Sequence, residues 1–164
     1  MAQINRLKIQ AMASQFVKQI HRAGDLNLSV RSAGFEEVTL FMPYQQHVVA
    51  DQQSGKVCRS ALIRLIDTAA SACALCTFFY LMHHILAPFP ADMRVDYIHQ
   101  VSMGVPLMAQ AQRFYFISEL LMIRIMVYQH FIEVPIACAW VSFECSKAHQ
   151  VSEQVKATLL GERE

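Results

Sequence analysis

The stretch VCRSALIRLIDTAASACAL, residues 57–75, decides how the chain is read. Apolar residues dominate it at helical spacing, and the pattern predicts a long helix over about 59–80. One carboxylate, Asp67, sits in the middle. Two readings stand side by side. Asp67 pairs with Arg64, one turn earlier, as a structural ion pair. Alternatively it performs chemistry, because a carboxylate in a partly apolar site has a raised pKa and serves as a general base or nucleophile.

Elements on both sides of this helix follow from the same period analysis. Residues 3–22 carry Ile4, Leu7, Met12, Phe16, Val17 and Ile20 at helical spacing, closed by Gly24 and Asp25. Alternation in 35–44 predicts a first strand that Pro43 ends. Residues 50–56 read as a loop. After a break at APFPAD (87–92), strands are expected over 93–101, 106–117, 120–128 and 131–145. The polar segment 146–164 is either a short helix or a tail. Short turns between the last strands allow only antiparallel pairing. The expected class is therefore α+β: a curved antiparallel sheet wrapped around one long central helix, with an extra N-terminal helix, in a single domain over 1–164 with its core at about 35–145.

Composition narrows the function. Of the 164 residues only 16% are charged, against about 25% in an average soluble domain. A chain with 54% hydrophobic residues then hides surface in an oligomer, encloses an apolar pocket, or both. The net charge of +1 and scattered basic residues argue against nucleic acid and anionic membranes. The apolar run 68–82 is shorter than the ~18 residues of a membrane span. Five cysteines without a signal-like N-terminus read as free thiols in a cytoplasmic protein. The CALC spacing at 73–76 lies in an apolar run without a second pair, and His83-His84 lacks a third ligand, so neither a metal nor a cofactor is expected. The nine methionines, Met93, Met103, Met108, Met122 and Met126 among them, are expected mostly in the core or lining an adaptable pocket, and Phe114 and Phe116 in the core.

GKVCRSALIRLID (55–67), the small-residue run that follows it, DMRVDYIHQVSMG (92–104) and ACAWVSFEC (137–145) together resemble the hotdog-fold acyl-CoA thioesterases of the phenylacetate-degradation type. The resemblance covers roughly 35–145. That family has Gly-x-x-His-Gly-Gly, then an Asp nine residues after the His. Here Gly55 and Asp67 match, and Cys58-Arg59-Ser60 replaces His-Gly-Gly. A helper Asn of the family aligns with Gln52, and a helper hydroxyl with Pro90, which cannot donate. The resemblance implies an acyl-CoA substrate, a homo-oligomer (a dimer, or a dimer of dimers) and a site shared between subunits.

The chemistry needs these residue types. Thioester hydrolysis develops negative charge on the carbonyl oxygen. Unpaired N–H groups at a helix start receive it, worth ~3–4 kcal/mol per donor in a good case. The backbone of Ser60, with neighbours Arg59 and Ala61, supplies the candidate donors. Ser60 and Asp67 are separated by ~10 Å along a helix, too far to serve one carbonyl. Two antiparallel helices in a two-fold dimer bring Ser60 of one chain to Asp67 of the other. Arg64 either meets a CoA phosphate or has a structural role. Cys58 is either a substituted loop residue or a thiol activated by the helix start. A competing reading is an impaired hotdog protein that binds an acyl or other apolar ligand, or an assembly module. A hydratase is less favoured, because no helix His accompanies Asp67.

Overall fold

The computed structural model describes residues 6–20, 24–51 and 56–161. Its centre is helix α2 (Arg59–Met82), 24 residues long. Leu65 and Ile66 are fully buried, and every residue over 68–78 is buried. Alanine, serine, threonine and cysteine dominate that second stretch, and their small volumes let neighbouring layers approach closely. By length and composition α2 could cross a membrane, which the count of 68–82 alone underestimates. However, 72% of its most apolar window is buried within the protein, as befits a core helix.

A six-stranded antiparallel sheet wraps one side of α2, in the order β1-β2-β7-β8-β9-β6. The strands are β1 (Ser29–Ala33), β2 (Glu37–Met42), β6 (Pro90–Tyr97), β7 (Leu107–Ile117), β8 (Leu120–Tyr128) and β9 (Ala137–Glu144). Short pairs β3 (Val49–Asp51) with β4 (Lys56–Val57), and β5 (Leu86–Ala87) with β10 (His149–Gln150), flank it. Period-2 burial is clean in β8 and β9: Leu121, Ile123, Ile125 and Val127, then Ala137, Ala139, Val141 and Phe143, all face the core. The opposite side of α2 is covered by α1 (Arg6–Gln15), which runs on as a π-helical turn (Phe16–Ile20) and buries Ile9, Met12, Phe16 and Val17. Helix α3 (Glu153–Leu160) packs on α1 through the buried Leu159. Two side chains pin the sheet to the helix. Thr77 Oγ1 donates to Phe35 O at 2.8 Å, and Cys73 Sγ approaches Glu36 O at 3.8 Å.

The expected α+β layout is the observed one, with corrections to single elements: β6 spans Pro90–Tyr97 and so begins inside the expected break. β1 was missed because SVRSA lacks an apolar stripe; it is an edge strand, bulged between Val30 and Ser32, and it buries only Ala33 fully. The last strand begins at Ala137, not near 131, because Pro135 offers no N–H to a ladder. Met108, Met122 and Met126 are not core: alternation puts them on the outer sheet face, half-buried, and Met103 is exposed in a turn. Phe114 is also outside, 60% exposed and edge-on to Trp140 at 5.0 Å, on the same face as Met108 and Gln110; only after it does a bulge between Arg113 and Tyr115 shift the strand's alternation. Phe116 packs against the core.

Candidate active site at the start of α2

The start of α2 is anchored before it is open. Cys58 is the N-cap, in an extended conformation, and its N–H donates to Val48 O at 2.7 Å. The first helical turn is tight: the Ala61 N–H donates to Cys58 O at 3.0 Å and the Leu62 N–H to the same oxygen at 3.3 Å. This corrects the expected donor set, since the Ala61 N–H is already taken up by its own chain. The N–H groups of Arg59 and Ser60 precede the first residue that has a carbonyl behind it, so they point out of the helix start.

Cys58 shapes this spot. Its sulfur lies 2.8 Å from Ser60 Oγ. That contact first, then the Ser60 and Ala61 backbone N–H groups, lowers the thiol pKa from its ordinary value. Arg59 is turned away, with its guanidinium 5.1 Å from the centre of the Tyr97 ring.

Asp67 lies two turns further along, half-buried. Arg64 reaches Asp25, at 3.6 Å, with both side chains largely in water. Arg64, expected beside Asp67 or a CoA phosphate, thus contacts a different element. Arg59, Ser60, Ile63, Arg64 and Asp67 form one stripe along the first two turns that no element of the described chain fully covers; Ile63 is 42% exposed. Beyond Asp67 the stripe ends, and every residue over 68–78 is buried. Gln52 and Gly55 lie outside the described residues.

Beside the helix start is a cavity of about 320 Å³. Val57, Arg59 and Leu62 form one wall, and Tyr97, Ile98 and Val101 another. Reading the sequence missed this second wall because it continued the strand through 101, whereas β6 ends at Tyr97 and the chain turns out of the sheet. His99 stands in the same wall, with Nδ1 2.6 Å from Pro135 O. A carbonyl can only accept, so Nδ1 carries the proton and Nε2 is left as the outward nitrogen.

Elsewhere the titratable groups are structural. Burial pushes the Cys73 thiol up to about 12 and raises Cys76 further. Both are sealed within the core, which removes CALC from solvent and metals. No group of three metal-ligating side chains occurs among the described residues. His83 closes α2 through its backbone, in left-handed conformation, with its N–H on Phe79 O at 3.1 Å.

Solved structures decide the fold's name. A protein of Pseudomonas aeruginosa superposes with a TM-score of 0.72 at 24% identity, covering 83% of this chain and 98% of its own. The PaaI protein of the Escherichia coli phenylacetic acid degradation operon gives 0.70 at 15% identity, covering 90% and 96%. The fold is a hotdog. A hypothetical thioesterase of Streptococcus pneumoniae, solved with coenzyme A, shares the hotdog at a TM-score of 0.62 and 9% identity, covering 76% of this chain and 89% of that one. No protein-family model matches the chain, and no curated protein does. At these identities the likeness carries the fold alone.

Proposed function

We propose that this chain hydrolyses an acyl-CoA thioester to the free acid and CoA, with Asp67 as general base or nucleophile. The observation that carries the proposal is the uncovered stripe on α2. It joins an open helix start to a half-buried carboxylate, next to a cavity, in a hotdog fold. As a base, Asp67 takes a proton from water while the water oxygen adds to the carbonyl carbon. The oxyanion is received by the Arg59 N–H, and by the Ser60 N–H once the substrate oxygen displaces the Cys58 sulfur from it. The C–S bond then breaks, and the CoA sulfur leaves and takes up the proton.

One chain cannot supply both groups to one carbonyl, so the site is shared across a two-fold dimer. The edge of β6 supports this. It is the one long edge strand of the sheet, and Arg59 over Tyr97 makes it continuous with the uncovered stripe of α2. Its sequence is self-complementary. When two copies pair antiparallel about Val95, Arg94 of each faces Asp96 of the other on the outer face. In the single chain the same two side chains already pair with each other at 3.1 Å.

A second reading is favoured by Cys58 and Ala61. With the sulfur beside the first-turn N–H groups and the Ala61 N–H engaged, the helix start is partly filled by the protein's own atoms. A hotdog that holds an acyl ligand without turnover fits that filling. The test is CoA release, followed by chromatography, from short-, medium-, long-chain and arylacetyl-CoA, with wild type beside Asp67→Asn. Turnover that falls about 100-fold or more in the variant supports the thioesterase. No release from any substrate supports the binding protein.

A further inference from the structure

We infer that the acyl group this site takes is a medium or long apolar chain, laid in a groove from the helix start to the β8–β9 loop. The inference rests on the proposed thioesterase reading and deepens it. The cavity beside α2 does not end at Val101. A second cavity of about 190 Å³ adjoins it and shares His99, Gln100 and Ile136 as walls. Its far rim is Phe131 and Val134, which are 69% and 56% exposed. Large apolar side chains left in water at the mouth of a groove mark a surface that an apolar ligand covers.

The groove is preformed. Gln129, on its floor, holds the loop 102–105 with its carboxamide: Oε1 accepts from the Ser102 N–H at 2.7 Å, and Nε2 donates to Ser102 O at 2.8 Å and Val105 O at 3.0 Å. On the other side His99 is held by Pro135 O, and Ile136 O accepts from the Ile98 and His99 N–H groups at 2.8 and 3.2 Å. Two loops that carry no regular ladder are therefore locked face to face. That arrangement spends polar side chains on shape, as rigid binding sites do.

Charge decides which part of the substrate lies there. Coenzyme A carries phosphates, which are recognised by Arg, Lys and backbone N–H groups. The second cavity is lined by no Lys or Arg; its polar groups are His99, Gln100, Ser102, Gln129 and His130. The one guanidinium of the groove, Arg59, stands at the opposite, helix-start end. An acyl chain therefore points toward Phe131 and Val134, and the CoA moiety leaves past Arg59.

The test measures kcat/KM for a series of saturated acyl-CoA from C4 to C16, for wild type, Val134→Lys and Phe131→Ser, and binds sodium laurate to each by calorimetry. Both replaced side chains are mainly in water, and circular dichroism checks that the variants fold. Wild type is expected to gain about threefold to fourfold per methylene over the lengths that fill the groove. The C12-to-C4 ratio is expected to fall at least tenfold in each variant, and laurate affinity with it. Turnover with no chain-length preference, and a ratio unmoved by both variants, overturns the inference and leaves the thioesterase standing. Laurate binding weakened by both variants without hydrolysis of any member upholds the groove and overturns the thioesterase. Neither turnover nor laurate binding overturns both.

Discussion

Helix α2 contains two different helices in one. Over 59–67 it carries Arg59, Ser60, Arg64 and Asp67 on a face that its own chain leaves open. Over 68–78 it is buried all round by the sheet on one side and α1 on the other. The same backbone is thus open at one end and packed at the other, and the boundary is Asp67 itself. A carboxylate one turn further in would be buried and bear a desolvation cost of several kcal/mol. One turn earlier it would be in open water with an ordinary pKa. At the edge of burial Asp67 is half-buried, reachable from the open face and adjacent to the packed one.

This contrast can be broken from either side. The largest effect is expected in the buried half. Phe78→Ala removes a fully buried ring and should cost about 3–5 kcal/mol, read from urea unfolding. Asp67→Asn should leave that unfolding curve nearly in place and lower kcat/KM by about 100-fold or more, equivalent to ~2.7 kcal/mol in the transition state. Equal losses of stability and activity would mean that Asp67 belongs to the packing half. Small residues in 68–78 should resist enlargement: Ala70→Leu is expected to destabilise by about 1–3 kcal/mol. By contrast Ile63→Lys, on the open stripe, should keep the monomer's fold and shift sedimentation from dimer toward monomer. A dimer that persists unchanged would place the interface elsewhere.

The smallest effect is chemical and separates the halves without a substitution. Cys58, with its pKa lowered, holds more thiolate at a given pH than an ordinary cysteine, so mass mapping should find it alkylated first. Cys73 and Cys76, raised by burial, should react only when the protein opens. The same shift has a stability sign. Above about pH 9 the unfolded chain loses a proton that folded Cys73 keeps up to about 12, so stability should fall as pH rises through that window.

Much of this was legible in the chain because period alone encodes it. The long helix, the β7–β8 hairpin and strand β9 each bury one face of a regular pattern, and their positions were read to within a few residues, the start of β9 excepted. Edge strand β1 was not legible, because an edge strand with one half-covered face has no pattern to show. The outer-face methionines misled for a related reason: hydrophobicity says that a side chain avoids water, not which side of a sheet it is on. A single bulge in β7 was enough to put Phe114 and Phe116, two residues apart, in different surroundings: Phe114 stays on the outer face and Phe116 turns inward.

At the site, the start of α2 and the place of Asp67 along it were legible in the sequence. Engagement of the Ala61 N–H, the turn of Arg59 toward Tyr97 and the contact of Arg64 with Asp25 were not, because each depends on a partner far away in sequence or on the local tightness of one turn. The groove from Val57 to Phe131 is the fullest case. Its walls come from three separate segments, 57–62, 97–102 and 129–136, and no local pattern says that they meet.

By itself, then, the sequence determined the layers of this protein, through hydrophobic period, and the place of one carboxylate along one helix. Tertiary structure alone decided which side of α2 stays open, which groups engage the N–H donors at its start, and that two loops, joined by Gln129 to Ser102 across 27 residues, close into one groove. The physical reason is range. Period and capping act between neighbours in the chain, whereas burial, cavities and hydrogen-bonded loops exist only once distant segments meet.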